Sequence, residues 1–126
     1  MRGSVGEFHA QRTGADVVVL TADRLPGVEI TDVLGEVHGL LVTSRGPFSD
    51  TAARVRTAFG GEVKSYGKLM AQSRAEAVAR LKDAAAELGA NAVVAMRFDT
   101  TAITDEMLEV AAYGTAVTLD RTTSED

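Results

Sequence analysis

The sequence predicts an α+β fold in which an antiparallel β-sheet carries one long and one short helix on one face. Three observations lead to this prediction. Residues 73–88 place Ala and Leu at helical spacing, and a strand-like apolar run at 92–96 follows them directly. Two strand-like stretches precede the helical region and two follow it, unlike the regular repeats of parallel α/β proteins. Residues 108–119 alternate in the manner of a strand that is apolar on both faces.

Length and composition limit the kind of protein this is. A chain of 126 residues fits one domain, and 20 alanines and 15 valines against six aromatic residues predict a core of small side chains. The net charge of −5 argues against a nucleic-acid or anionic-membrane surface. The absence of cysteine excludes disulfides and thiolate ligands. Since no apolar run approaches the roughly 20 residues of a membrane helix, we expect a soluble cytoplasmic protein.

The folded unit is expected at residues 16–120. Residues 1–15 show neither helical nor strand periodicity, which indicates a disordered extension or an expression remnant. Residues 121–126 are similarly polar and are expected to form a flexible tail.

Two strands are predicted before the helices. Residues 17–21 are β-branched and apolar, and Leu25-Pro26-Gly27 has the composition of a turn. Residues 30–42 alternate as a second strand. One face carries Val33, Gly35, Val37, Gly39 and Leu41, and the other carries Leu34, Glu36, His38, Leu40 and Val42.

Two helices are predicted next. Ser49 or Asp50 is expected to cap a short helix that Gly60-Gly61 ends. A longer helix is expected to begin between residues 65 and 73, because Ser73 and Glu76 have capping-box spacing. Gly89 is expected to end it as a left-handed C-cap. The apolar stripe of this helix comprises Met70, Ala77, Leu81, Ala84, Ala85 and Leu88.

A separate row of small residues on the long helix consists of Ala71, Ala75 and Ala79. Such a row lets a second helix or a sheet pack unusually close. We therefore expect Ala75→Leu or Ala79→Leu to destabilise the fold or its assembly by roughly 1–3 kcal/mol through overpacking.

The last two strands, at residues 91–99 and 108–119, give the sheet a second apolar face. This face is expected to contain Val93, Ala95, Ala111, Tyr113 and Val117, and a partner subunit is its simplest cover. The helix-facing side is expected to contain Ala92, Val94, Met96 and Phe98, together with Leu108, Val110, Ala112, Gly114 and Ala116.

Six short motifs occur in an order and spacing that resemble the YbjQ-like family, small bacterial proteins of unknown function labelled heavy-metal-binding. The motifs are Leu25-Pro26-Gly27, Gly35-Glu36-Val37-His38-Gly39, Arg56 ahead of Gly60-Gly61, Tyr66, Gly89-Ala90-Asn91-Ala92-Val93-Val94 and Tyr113-Gly114-Thr115-Ala116-Val117. The resemblance implies a dodecin-subunit-like fold assembled as a ring-shaped homopentamer. This chain departs from the family pattern at Thr57, where an acid is frequent, and at His38, where a small polar residue is common.

The metal-binding label implies ligands, and the sequence offers few. Glu36 and His38 lie two residues apart on one strand face, so both can reach one ion. The alternative is a histidine in solvent, in a pore or at a subunit contact. A four-ligand zinc site cannot form within one subunit, so a site must combine side chains of symmetry-related chains and is expected to be weak. The acidic cluster Asp105, Glu106 and Glu109 is more typical of a solvated loop.

A small anion is the second ligand considered. Gly60-Gly61 with Lys64 or Lys68 can cradle an anion at a helix N-terminus, although most glycine pairs are simply turns. Arg54 and Arg56 flank this region and can serve an anion or a neighbouring carboxylate. The candidate small-ligand residues are Arg56, Gly60, Gly61 and Tyr66. The alternative for Tyr66 is that it packs at the start of the helix without a role in binding.

No hydrolase, zinc-protease or phosphate-loop spacing occurs in the chain. Two hypotheses follow. The favoured one is a non-enzymatic oligomeric protein that holds a small ligand or metal ion at subunit contacts. The alternative is an enzyme with an inter-subunit site that uses Glu36, His38 and Arg56.

Overall fold

A computed structural model of the protein describes residues 13–44 and 61–122, with backbone alone for residues 61–64. A 3₁₀ turn at Gly14–Asp16 precedes four strands and one helix. The elements are β1 (Val18–Val19), β2 (Val28–Ser44), α1 (Gly61–Glu87), β3 (Ala92–Ala102) and β4 (Met107–Arg121). The strands form one sheet in the order β1-β3-β4-β2, and α1 packs mainly on β2 and β4. The α+β class is confirmed, and the domain limits at 16 and 120 stay a prediction.

The sheet is mixed, and the expectation of a purely antiparallel sheet is wrong. β4 pairs antiparallel with both β2 and β3, but β1 runs parallel to β3. The chain after β1 stays on β3 for three more residues: Leu20 accepts a hydrogen bond from the Met96 amide, and Ala22 accepts one from the Ala95 amide. Because these bonds hold the first strand beside β3, the chain must cross to the far edge of the sheet before β2 begins.

The long helix begins earlier than the sequence predicts. Gly61 is its first residue, not the end of a shorter helix, and the predicted short helix at residues 49–59 lies outside the described residues. Ser73, expected as a cap, is in the helix interior and only 4% exposed. Residues 62–72 are mostly good helix formers, so the helix continues through Gly67.

The C-terminal end of α1 is as predicted. Gly89 has φ +87°, and the Ala90 amide donates to the Ala85 carbonyl, which is the bond of a Schellman motif. Asn91 follows, and its side chain pairs with both backbone groups of Leu119 at 2.9 and 2.8 Å. The helix is therefore joined to β3 and β4 within a few residues of its end.

The close approach of helix and sheet occurs at Gly39. A Cβ atom on this glycine would collide with the carbonyl of Ala77 and with the amide of Leu81. The expected small-residue row is not responsible, since Ala71, Ala75 and Ala79 are exposed on α1. The closest packing is therefore on a different side of the helix from the one predicted.

The register of β2 with β4 shifts twice, between Ile30 and Asp32 and between Val33 and Gly35, and the second shift is a bulge that reverses the predicted faces of the residues around it. The pairing register with β4 leaves Leu34 as an extra residue between Val33 and Gly35. Val33 is consequently 64% exposed, whereas Leu34 packs against the core beneath the helix. Both residues lie opposite to the side that simple alternation predicts.

A bulge in β3 likewise reverses predicted faces. Its register with β4 breaks between Val94 and Arg97, where Ala95 has φ +56°. Val93 is buried on the helix side, and Ala92 and Val94 are buried on the other, the reverse of the prediction.

The predicted faces of β4 are confirmed at its core positions. Val110, Ala112 and Ala116 belong to the core beneath the helix, together with Leu81 and Met96. A smaller cluster on the opposite face contains Ala92, Val94 and Val117, with Leu20 and Leu119 packed against it.

Candidate functional site

The face of the sheet turned away from the helix carries the candidate metal ligands. We call the part formed by Glu36, His38, Leu40, Val42, Ala111 and Tyr113 the open face. The His38 Nε2 atom lies 3.7 Å from the Glu36 Oε2 atom, and their side chains are 51% and 73% exposed. Alternation along β2 places the two residues on the same face, as predicted, because both lie beyond the bulge.

Three strands align polar side chains across this face. His38 pairs with Tyr113 on β4, and Tyr113 pairs with Arg97 on β3. The His38 and Tyr113 ring centroids are 6.2 Å apart, with a 31° angle between the ring planes. The Arg97 Nη1 atom donates to the carbonyls of Thr21 and Met96 at 3.0 and 2.8 Å. This arginine therefore anchors the segment after β1 to the sheet.

The open face is apolar beside the His–Glu pair. Leu40 and Val42 are 47% and 49% exposed, and Ala111 across from Leu40 is half-buried. β2 is also an edge strand, since β4 is its one partner in the described sheet. The face thus combines an exposed potential ligand pair with apolar surface.

The described residues of one chain do not provide the ligands of a complete metal site. Within residues 13–44 and 61–122, no three His, Asp or Glu side chains group so as to hold an ion. Glu36 and His38 supply two ligands, whereas zinc usually takes four. Asp105 and Glu106 lie in the exposed turn between β3 and β4, and Glu109 lies opposite Val42. Any site built on the pair needs ligands from elsewhere.

The candidate small-ligand residues are not brought together in the part of the chain that the structure describes. Arg56 and Gly60 lie outside it. Gly61 begins α1, and Tyr66 is half-buried one turn further along that helix. The anion cradle and the roles of these four residues stay predictions.

A groove between α1 and β3 was not predicted from the sequence. It has a volume of about 630 Å³ and is lined mostly by apolar groups. The Arg74 guanidinium carbon lies 4.8 Å from the centre of the Phe98 ring at one side of it. The signal in the sequence is the spacing of Gly67, Met70, Ala71, Arg74, Ala75 and Val78 along one side of a helix.

No helix in the described parts of the chain has the length and hydropathy needed to cross a bilayer.

Comparison with known proteins identifies the family. A family model described as "Putative heavy-metal-binding", that of YbjQ, matches residues 9–120. A UPF0145 protein of Thermoplasma volcanium is 40% identical over 110 residues, which cover 87% of this chain and 90% of that protein. A UPF0145 protein of Limosilactobacillus fermentum is 48% identical over 101 residues, covering 80% and 89%. Since relatives occur in archaea as well as bacteria, the expectation of a bacterial family is too narrow.

Similarity to a solved structure supports the fold and says nothing about function. A protein of unknown function from Pediococcus pentosaceus, assigned to the DUF74 family, superposes with a TM-score of 0.51 at 20% identity. The match covers 82% of this chain and 98% of that one. The family match and the identities to its relatives together show that the chain belongs to the YbjQ family of UPF0145 proteins.

Proposed function

We propose that the protein is a non-enzymatic homo-oligomer, the ring of five that the family resemblance implies, and that it holds a divalent metal ion or small ligand at its subunit contacts. The observation that carries this proposal is the juxtaposition on the open face of the Glu36–His38 pair with exposed Leu40 and Val42. The pair provides ligands, and the two apolar side chains provide a reason for a second chain to lie beside them.

The apolar part of the open face favours association. Leu40 and Val42 each leave about half of their surface in water. Covering such a half contributes on the order of 1 kcal/mol per side chain. The unpaired edge of β2 beside them adds backbone donors and acceptors that a neighbouring chain can satisfy.

Association also supplies the missing ligands. Cyclic symmetry repeats the Glu36–His38 pair once per subunit, so pairs that lie near the ring axis meet there and together offer four or more ligands. Both side chains are exposed, so fixing their rotamers on an ion costs conformational entropy that opposes binding. We therefore expect weak metal binding in the oligomer.

Light scattering and native mass spectrometry at micromolar concentration test the assembly. We expect a mass of five chains for the wild type and a smaller mass for Leu40→Glu, because the charge is placed on the open face. Leu88→Glu is the matched control, since Leu88 is also 47% exposed but follows the end of α1. A monomeric wild type, or equal effects of the two variants, contradicts the proposal.

Calorimetry with zinc, copper and nickel tests the ligand pair. Weak binding is expected for the wild type, and His38→Ala and Glu36→Gln are expected to weaken it further. Glu29→Gln, a carboxylate removed near the start of β2, is the control. Submicromolar affinity lost on His38→Ala would contradict the expected weakness and show a true metal carrier.

The enzyme hypothesis gains no support from a specific observation. It needs Arg56, which lies outside the described residues, and its other two members lie exposed on the open face.

A further inference from the structure

The groove between α1 and β3 has the properties of a small-molecule site. Its volume of about 630 Å³ lies within the range of roughly 300–1,000 Å³ that is usual for ligand pockets. Met70, Val78 and Phe98 form its half-buried walls. Gly67 leaves it open at one end, because no described atom beyond the adjacent turn of α1 lies within 4 Å of the position of its missing Cβ.

One charged group stands in this apolar lining. Arg74 forms no ion pair within the described residues. The contact found for its guanidinium is the Phe98 ring. Arg80, six residues along the same helix, differs: it binds the Glu76 carboxylate at 3.2 Å and the Leu40 carbonyl at 2.7 Å. The positive charge of Arg74 is thus unmatched by any described carboxylate beside the groove.

The geometry at Arg74 suits a carboxylate. A guanidinium beside an aromatic ring directs only part of its surface to the cation–π contact, and its N–H groups that point away from the ring stay available. Those groups match the two oxygens of a carboxylate in a bidentate pair. An apolar body attached to that carboxylate would bury itself against Met70, Val78 and Phe98.

We propose that this groove binds an amphipathic carboxylate, an aliphatic or aromatic acid whose head group pairs with Arg74 and whose apolar body lies along α1. The occupant follows from charge complementarity, because Arg74 lies in the apolar lining of the groove and pairs with no described carboxylate. The site lies within one subunit and is independent of the subunit contacts proposed above.

Calorimetric titration of the full chain with sodium decanoate tests this site. Saturable binding of one decanoate per chain is expected, whatever the oligomeric state. Arg74→Met is expected to weaken binding at least tenfold, and Arg24→Met, at an exposed arginine in the β1–β2 connection, is expected to leave it unchanged. Decanol, which lacks the charge, is expected to bind wild type and Arg74→Met equally.

A second variant fills the groove without touching the charge. Gly67→Leu introduces an apolar side chain into open space on a helix, where glycine is a poor helix former. We expect at least tenfold weaker decanoate binding with no loss of melting temperature. Absence of saturable binding by the wild type overturns the proposal. Binding that both variants leave unchanged overturns it as well.

Discussion

The two faces of the β-sheet are covered to different extents. On the helix side, Leu81, Val93 and Val110 are completely buried. On the other side a small cluster around Val117 is closed by Leu20 and Leu119, but Leu40 and Val42 at the far end remain half exposed. The helix side therefore determines the fold, whereas the other face leaves apolar surface and a His–Glu pair exposed for contacts.

The largest destabilisation of the packing between helix and sheet is expected from a side chain added at Gly39. We expect Gly39→Val to lower the free energy of unfolding by about 3 kcal/mol or more, because its Cβ would meet helix backbone that cannot move aside. Urea denaturation followed by circular dichroism measures the loss.

Gly67→Ala is the control for that glycine substitution. Gly67 is in the same helix that Gly39 contacts, but its missing side chain faces open space. Alanine there is expected to raise the free energy of unfolding by about 1 kcal/mol through helix propensity. Equal destabilisation by both substitutions would show that the close contact at Gly39 is not specific.

Two alanines on α1 allow a buried and an exposed position of the same helix to be compared. Ala77 is completely buried against the sheet, whereas Ala75, two residues before it, is exposed. We expect Ala77→Leu to cost about 1–3 kcal/mol of folding stability by overpacking, and Ala75→Leu to change it by less than about 0.5 kcal/mol. Thermal denaturation at low protein concentration separates the two. A similar loss of stability in both variants would support the prediction of close packing at Ala71, Ala75 and Ala79.

Hydrophobic periodicity predicted the elements of the fold, but it could not predict the bulges. The strands and the long helix follow from apolar spacing and from Gly89, and β4 alternates without interruption. In β2 and β3 extra residues reverse the faces locally. Gly35, with φ +131°, lies next to the extra Leu34, whereas Ala95 carries no local signal. Alternation is a local property, whereas a bulge depends on the register with the partner strand.

The candidate sites show the same limit. Glu36 and His38 are two residues apart, so their shared face follows from strand geometry alone. Arg74 and Phe98 are on different elements, and only the packing of α1 over β3 brings them together. For the same reason the parallel pairing of β1 with β3 could not be deduced, since it joins residues more than 70 positions apart.

The smallest expected effect is that of removing metal. The core beneath the helix closes through apolar contacts of Leu81, Val93 and Val110, and the Glu36–His38 pair is exposed on the other face. A weakly bound ion adds little stability by mass action, unlike the ion of a zinc finger, without which the chain is unfolded. We therefore expect excess EDTA to change the melting temperature by less than about 1 °C. A clear fall in melting temperature that added zinc restores, and that His38→Ala abolishes, would show that the open face stabilises the fold through a metal ion.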